Sequence, residues 1–413
     1  ADNTAVGFNV LSTNQTGSSN TAIGKSALSL NTGGSNVAVG RSALENNSTA
    51  SNNTAVGKDA LIANTTGHSL VAVGDSALKA NTTALANTAV GRAALEATTT
   101  GASNTAVGRS ALQVNTTGAE NVAVGLSALD ANTTGSNNVA VGRNALSGNT
   151  TAANNTAIGD SCMFLNTTGT NNTAVGNSAL IANTTGTNNT GIGHNALVAN
   201  TEAIHNTGIG NLALAAVTTG TRNTCVGSGA GDAITTGSKH TIIGRHNGNS
   251  GGVDIRTATN HIVLADGDGN PRGIFDGSGN FTVQSGGVKS LAVYNNTTGT
   301  SANMVVDSAG GFARSTSSLR YKNTVNDATH GLTELLALRP VTYKGNNDGD
   351  TVFGGLIAEE VHDAGLTEFV TYDDEGRPDA LSYGNMVSLC IKAIQEQQAT
   401  ITALTKRIEA LEA

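Results

Sequence analysis

Residues 104–120 read NTAVGRSALQVNTTGAE, and this unit recurs with small changes over the first 244 residues. Thirteen of the fourteen intervals between equivalent glycines are 17 residues long and one is 16. Self-similarity at a fixed short period predicts a repeat architecture in which each unit stacks on its neighbours. The glycines that mark the period are Gly7, Gly24, Gly40, Gly57, Gly74, Gly91, Gly108, Gly125, Gly142, Gly159, Gly176, Gly193, Gly210, Gly227 and Gly244.

Each repeat divides into a strand-forming part and a turn-forming part. The run Thr-Ala-Val-Gly favours a short strand, and alternation places its valine on one face and its alanine on the other. Ser-Ala-Leu supplies a second apolar pair. Asn-Thr-Thr-Gly is typical of a turn, because asparagine caps its own backbone and glycine accepts a positive φ. We therefore predict a mainly β chain with one coil per repeat, made of two short strands or turns around a thin interior of valine and leucine. At about 4.8 Å per coil, the fourteen intervals make a rod of roughly 67 Å.

Composition excludes several other classes of protein. The 52 glycines and 3 prolines among 413 residues are too few for collagen, and 3 % aromatic residues cannot form a large aromatic core. Three isolated cysteines provide neither a disulfide framework nor a metal set. No stretch is basic enough to bind nucleic acid. The sequence also lacks a run of about 18 apolar residues, which is the length needed to span a membrane. We expect no cofactor, no nucleic-acid partner and no membrane insertion.

The charge is concentrated near the end of the chain. Residues 317–413 hold 15 acidic and 8 basic residues, whereas residues 1–316 hold 15 and 14. This shift in composition predicts three domains: a repeat shaft at 1–244, a connector at 245–316 and an acidic domain at 317–413.

The connector reads as a small β-meander with hairpin turns. Its turn at 266–270 carries Asp266, Asp268 and Asn270 at the spacing of the first three ligands of a calcium loop. Glycine replaces the glutamate expected at the twelfth position, and a plain hairpin turn is the alternative reading. The histidines at 240, 246 and 261 lack the spacing of a metal set, so we interpret them as surface or packing residues.

The repeat resembles the head repeats of trimeric adhesins and the shafts of bacteriophage tail fibres. That resemblance implies a β-roll or β-solenoid wound as a homotrimer. The Asn-Thr-Thr steps also match N-glycosylation acceptors, with turn capping as the alternative. Arrays of threonine raise ice binding as a further alternative, although many of the threonines fall in turns.

The acidic domain carries several ordered sequence blocks. Together they resemble the C-terminal intramolecular chaperone domain of phage tail spikes and fibres, a self-cleaving endopeptidase family that also occurs in endosialidase tail spikes and in the myelin regulatory factor. The resemblance covers about 97 residues. Its blocks are SSLRYKNTV at 317–325, LLALRPVTYKG at 335–345, FGGLIAEEVHDAG at 353–365, LSYGNM at 381–386 and AIQEQQATITALTKRIEALEA at 393–413.

The resemblance implies a processing site at the start of this domain. The family motif Ser-Asp-x-Arg-x-Lys falls on residues 317–322, with Ser318 in place of the aspartate. Ser317 would be the nucleophile that cuts the Thr316–Ser317 bond, and Lys322 would be its base. Arg320 would lower the pKa of the lysine or orient a carboxylate. The alternative is a pair of linker serines beside a solvated lysine.

The last segment has the heptad pattern of a coiled coil, from about residue 387 to residue 413. One set of seam positions holds Val387, Ile394, Ile401 and Ile408, and the other holds Cys390, Gln397, Leu404 and Leu411. Isoleucine and leucine in these places favour two strands, whereas the family resemblance implies three. A single amphipathic helix packed on its own domain is the alternative. The adjacent Glu359 and Glu360 point apart on a helix and read as a solvated acidic face.

These observations favour a homotrimeric fibre of a phage or phage-like particle that binds a host-surface receptor such as a glycan. It would assemble in the host cytoplasm and function in the virion. The only enzymatic activity expected is self-cleavage at Thr316–Ser317. A bacterial trimeric surface adhesin with the same chaperone domain is the alternative, and an ice-binding or glycan-degrading rod ranks behind both.

Overall fold

The computed structural model describes residues 2–284, 304–306, 312–314, 324–344, 350–373 and 375–412. The chain divides into two compact units, Ala1–Tyr294 and Asn295–Ala413. The domain boundaries at residues 244 and 316 stay a prediction.

The first unit contains a β-solenoid with a 17-residue period, as predicted. Each regular coil has one three-residue strand, and turns make up the rest of the coil. Successive strands pair in parallel and in register, so that Ala106 lies beside Ala123 and Val107 beside Val124. The fifteen strands are β1 (Thr4–Val6), β2 (Thr21–Ile23), β3 (Val37–Val39), β4 (Thr54–Val56), β5 (Val71–Val73), β6 (Thr88–Val90), β7 (Thr105–Val107), β8 (Val122–Val124), β9 (Val139–Val141), β10 (Thr156–Ile158), β11 (Thr173–Val175), β12 (Thr190–Ile192), β13 (Thr207–Ile209), β14 (Thr224–Val226) and β15 (Thr241–Ile243).

Alanine and leucine, not valine, fill the interior of the coil. In the coil that starts at Asn104, the side chains of Ala106, Ala111 and Leu112 are fully buried, whereas Val107 points outward and is 37 % exposed. The expectation of valine in the interior is therefore wrong. The physical reason is space, because the coil also encloses two asparagine side chains, so the smaller alanine faces inward and the larger valine faces outward.

The enclosed asparagines join neighbouring coils through hydrogen bonds. Oδ1 of Asn104 accepts the backbone N–H of Asn121 at 3.0 Å, and its Nδ2 donates to the carbonyl of Gly118 at 2.9 Å. In the Asn-Thr-Thr-Gly turn, Nδ2 of Asn115 donates to the same carbonyl at 3.0 Å. Buried amides need partners, and here they find them in their own turn and in the next coil.

The glycine after each strand is required by both backbone angle and space. Gly108 has φ +136°, and a Cβ there would lie 2.4 Å from the carbonyl oxygen of Gly125 in the next coil. The turn that follows places Ser110 and Leu112 in the left-handed region, with φ of 59° and 51°. Such a conformation costs about 1 kcal/mol for a non-glycine residue, and full burial of the leucine offsets it by about 2 kcal/mol.

The solenoid ends in a longer coil and a small meander. The strand Ile262–Ala265 pairs with β15 in parallel, with Thr241 beside Ile262, and the two strands that follow it in the chain, Pro271–Phe275 and Phe281–Val283, each pair antiparallel with the strand before. The predicted meander is therefore present, and its first strand stacks directly on the last regular coil. The elements are a hairpin of β16 (Asn249–Ser250) and β17 (Val253–Asp254), followed by β18 (Ile262–Ala265), β19 (Pro271–Phe275) and β20 (Phe281–Val283).

The second unit mixes short hairpins with helices around a small core of Val361, Leu366, Phe369, Met386 and Leu389. Among the described residues of this unit, three strand pairs are present and each is antiparallel. The strands are β21 (Met304–Val306), β22 (Phe312–Arg314), β23 (Val341–Tyr343), β24 (Phe353–Gly355), β25 (Val370–Tyr372) and β26 (Pro378–Leu381). The helices are α1 (Leu332–Ala337), α2 (Ala358–Asp363), a 3₁₀ turn (Thr367–Phe369) and the long α3 (Tyr383–Glu412), which contains the predicted coiled-coil segment.

Candidate functional site

A continuous row of aliphatic side chains lies on the outer face of the solenoid sheet. Each strand contributes its last residue, and the in-register pairing places each of these side chains beside the next, as for Val90, Val107 and Val124. Ile158 is 40 % exposed in the middle of the row. We call this row the outer ladder. It comprises Val6, Ile23, Val39, Val56, Val73, Val90, Val107, Val124, Val141, Ile158, Val175, Ile192, Ile209, Val226 and Ile243.

The outer ladder is a long apolar row on the solenoid surface. Contiguous exposed apolar patches of this kind mark interaction surfaces, whereas scattered exposed aliphatic residues do not. The sequence alone did not locate it, since strand alternation leaves open which face is inside. The glycine that follows each valine was the usable signal, because it marks the corner of the coil.

Threonines occupy two different environments on the coil. Thr105 begins a strand and lies half-buried on the outer face beside the outer ladder. Thr116 lies in the turn, where its Oγ1 donates to the carbonyl of Thr133 in the next coil at 3.0 Å. The turn threonines therefore form a nearly regular row, whereas the row on the strand face is interrupted by valine at Val37, Val71, Val122 and Val139.

The asparagines of the candidate glycosylation steps within the repeats are inside the coil. Asn115 is fully buried and Asn132 donates to its Oδ1 at 3.0 Å. A side-chain amide held in this way is not accessible to a glycosyltransferase unless its coil unfolds. The geometry agrees with turn capping.

The long helix α3 has two apolar stripes with different environments. Met386, Leu389 and Ala393 are buried against the rest of the second unit. The heptad seam lies on another side of the helix and is exposed, with Ile394 at 63 % and Leu411 at 80 %. The helix therefore packs on its own unit through the stripe of Met386, Leu389 and Ala393, and the heptad seam is not the stripe that this packing buries.

Glu396 ties the same helix to the start of α1. Its Oε2 accepts the backbone N–H of Leu332 at 2.8 Å. A backbone N–H at a helix start has no partner within the helix, so a carboxylate there is favourable. The buried stripe and this contact fix the helix on its unit and leave the heptad seam available.

The residues of the predicted processing site, Thr316, Ser317, Arg320 and Lys322, lie outside the described residues, so their roles stay predictions. The acidic pair nearby in sequence is described. Glu360 on α2 pairs with the guanidinium of Arg339. Pairing with a surface arginine fits the reading of Glu359 and Glu360 as an acidic face.

The calcium-like loop binds its own backbone and side chains. Oδ1 of Asp266 accepts the backbone N–H groups of Asp268 at 3.0 Å and Asn270 at 2.9 Å, while Oδ2 accepts the guanidinium of Arg272 at 2.6 Å. These donors, with the backbone N–H of Asn270 first, lower the pKa of Asp266 to about 2. The carboxylate oxygens that a cation would need are engaged in the hairpin.

The same loop geometry occurs twice more. Asp276 accepts the backbone N–H groups of Ser278 and Asn280 at 2.8 and 2.9 Å. Asp373 accepts that of Arg377 at 2.8 Å. An aspartate that closes a tight turn in this way is a common structural device.

Comparison with protein-family models, with curated proteins and with solved structures found no match. Within the part of the chain that the structure describes, no helix is both long and apolar enough to cross a membrane. Among the same residues, no three His, Cys, Asp or Glu side chains are grouped as metal ligands would be. The two exposed apolar surfaces, the outer ladder and the heptad seam, are therefore the features of the described residues on which a function can be argued.

Proposed function

We propose that the chain is a subunit of a homotrimeric fibre of a phage or phage-like particle. The solenoid would be its shaft and would present a surface to a host receptor. The second unit would associate first, set the register of the three chains and act as an intramolecular chaperone. The mainly β solenoid fits a structural, fibre-like protein. The trimeric state, the origin in a phage particle and the binding of a host receptor are what we propose beyond that.

The exposed heptad seam of α3 carries this proposal. Six of the eight seam positions hold large aliphatic side chains that are exposed to water, although the same helix already has a buried stripe for its own unit. Side chains such as Ile401 and Leu404, about half exposed in the single chain, would become buried between copies. Burying one such side chain contributes about 1.5–3 kcal/mol, so four heptads supply ample energy for association.

The outer ladder supports the same proposal for the shaft. Three copies could cover their ladders against one another and remove fifteen aliphatic positions per chain from water. Nearly identical coils could also pair out of step by one repeat at little local cost. A clamp that fixes the register would prevent this error, and non-local β pairing folds slowly enough to need such help.

The oligomeric state tests the proposal directly. We expect native mass spectrometry at micromolar concentration to give three times the 41.2 kDa chain mass, measured in a Ser317→Ala background so that self-cleavage cannot remove the clamp. The double variant Ile401→Lys, Leu404→Lys should dissociate. Thr402→Lys, Ala403→Lys adds the same charge beside the seam and should remain trimeric. A monomer or dimer of the parent protein would overturn the proposal.

Self-cleavage is the second part of the proposed function. Cutting Thr316–Ser317 after assembly would release the clamp, so that unfolding could no longer retrace folding and the fibre would be kinetically stable. We expect a denaturing gel to separate residues 1–316 from the 97-residue remainder. Ser317→Ala and Lys322→Arg should abolish the cut, whereas Ser318→Ala, the neighbouring serine, should not. An uncut parent chain would remove the protease role and leave the clamp role standing.

A further inference from the structure

The last regular coil of the solenoid replaces an asparagine with a histidine. The two preceding coils begin with Asn206 and Asn223, and the side chains of these asparagines each make the same two hydrogen bonds. Oδ1 of Asn206 accepts the backbone N–H of Asn223 at 2.9 Å, and its Nδ2 donates to the carbonyl of Gly220 at 2.8 Å. His240 stands at this position in the coil of β15, where its own backbone N–H donates to Oδ1 of Asn223 at 3.0 Å.

The imidazole of His240 makes the same pair of bonds with its two ring nitrogens. Nδ1 accepts the backbone N–H of His261 at 3.2 Å, and Nε2 lies 3.0 Å from the carbonyl of Ala258. Only the neutral ring with its proton on Nε2 can make both bonds, because a carbonyl accepts and a backbone N–H donates. His261 immediately precedes β18, so this ring joins the last regular coil to the meander.

A second histidine in the same coil is enclosed and only partly paired. His246 is fully buried, with Nδ1 2.8 Å from Oγ of Ser250 and 3.4 Å from the backbone N of Gly248. Its Nε2 is buried without a hydrogen-bond partner among the described residues. A charge on this ring would be held in an apolar interior without a counter-ion, which is costly.

We propose that the contact between β15 and β18 is an acid-labile clip, in which protonation of His240 opens the meander from the end of the solenoid while the asparagine-linked coils stay closed. The added proton would sit on Nδ1 and face the N–H of His261, so that two donors meet where one bond stood. An asparagine amide does not titrate in this range, which confines the response to the last coil.

The sign and the pH window follow from the groups in this region. Burial first, and then the nearby ring of His261, lower the pKa of His240 to about 4 from an ordinary value near 6.5. Burial also lowers the pKa of His246. The unfolded segment therefore binds protons more readily, and stability that is present above about pH 6.5 is lost as the pH falls towards 4.

The carboxylates near the clip titrate elsewhere or act in the opposite direction. Asp254 is held by Arg256 and Asp266 by the backbone of its loop, and both have pKa values of about 2, so their contributions are lost only in stronger acid. Hydrogen bonds, with Asn280 first, also lower the pKa of Asp276. Burial raises the pKa of Asp232, so its protonation favours the folded coil. The basic side chains near the clip, Lys239, Arg245 and Arg256, stay charged throughout.

Amide hydrogen exchange at pH 6.8 and pH 5.0 tests the clip in the full-length protein, after correction for the intrinsic exchange rate. From a folded pKa of about 4 and an ordinary value near 6.5, we expect the protection of residues 262–283 to fall about twenty-fold at pH 5.0 relative to pH 6.8. Residues 104–200 in the same sample should show no such fall. Equal protection of 262–283 at the two pH values would overturn the proposal.

Substitutions assign the effect to His240. His240→Asn keeps an acceptor at the place of Nδ1 and should abolish most of the pH response, even if it lowers protection at both pH values. His240→Gln is a second non-titrating variant of longer reach, in case the first loosens the coil. His205→Asn, an exposed histidine on a regular coil, should respond like the parent. A full response in both His240 variants would overturn the proposal.

Discussion

Asn132 and Asn115 lie one coil apart inside the solenoid, and Nδ2 of Asn132 donates to Oδ1 of Asn115 over 3.0 Å. The next coil repeats the contact, since Asn149 donates to Oδ1 of Asn132 at 2.9 Å. Each amide also donates to a carbonyl of its own turn, which for Asn132 is that of Gly135. This row of side-chain amides ties each coil to the next in a place that water does not reach.

Removing one amide from the row should weaken its coil and both neighbours. Asn132→Ala leaves Oδ1 of Asn115 and the carbonyl of Gly135 each short of a donor, and a buried polar group without its partner costs about 1–3 kcal/mol. We expect local amide protection in residues 115–155 to fall by about 2–4 kcal/mol in total. Asn132→Thr is the matched control.

The control rests on a natural replacement in the same row. Thr98 occupies this position in an earlier coil, and Asn115 donates to its Oγ1 at 3.4 Å. Asn132→Thr should therefore cost clearly less than Asn132→Ala. Equal losses in the two variants would mean that the hydrogen bond is not what holds the coils together here.

A methyl group at the coil corner should disrupt stacking. Gly108→Ala would force an alanine to φ +136° and place Cβ 2.4 Å from the carbonyl of Gly125. We expect a loss of about 3 kcal/mol or more in the stability of the affected coils, measured by hydrogen exchange or by thermal unfolding followed with circular dichroism.

Gly118→Ala provides the comparison at another glycine of the same coil. Its Cβ would also be crowded, at 2.4 Å from the carbonyl of Gly135, but its φ is not in the left-handed region. Alanine occurs naturally at this repeat position, at Ala84 and Ala152 among others. We expect a loss below about 1 kcal/mol, and a comparable loss in both variants would refute the argument from backbone angle.

The second unit should show a histidine that holds its proton above the ordinary range. Nδ1 of His330 lies 2.7 Å from Oε1 of Glu368, and this carboxylate raises the pKa of the histidine. The stabilisation is present below about pH 6.5 and is lost as the pH rises through the raised pKa. NMR titration of Glu368→Gln should bring the midpoint back towards 6.5, whereas Glu359→Gln should leave it in place. An unchanged midpoint in Glu368→Gln would exclude the pairing.

The period and the strands could be predicted because they depend on local chemistry. Thr105, Ala106 and Val107 favour a strand, and Gly108 ends it. The equivalent residues of the other repeats do the same. The choice of interior could not be predicted in the same way. Alternation treats Ala106 and Val107 alike, and the decision rests on the volume left beside asparagines of two stacked coils.

The candidate sites divide along the same line. The heptad seam around Ile401 could be predicted, since its spacing is a property of one helix. The clip at His240 could not, because it depends on a contact 21 residues away with His261. The only signal in the sequence was a histidine at a repeat position that holds asparagine in most other coils, with Leu70 as another exception.

The coil of β2 contains 16 residues instead of 17, yet Thr21 still lies beside Val37 and Ala22 beside Ala38. The missing residue is absorbed in the turn, so strand, glycine corner and enclosed asparagines keep their places. Length in such a molecule is set by a count of interchangeable units. Adding or removing one whole coil would change the length of the solenoid by one strand spacing of about 4.8 Å, with both of its ends unaltered.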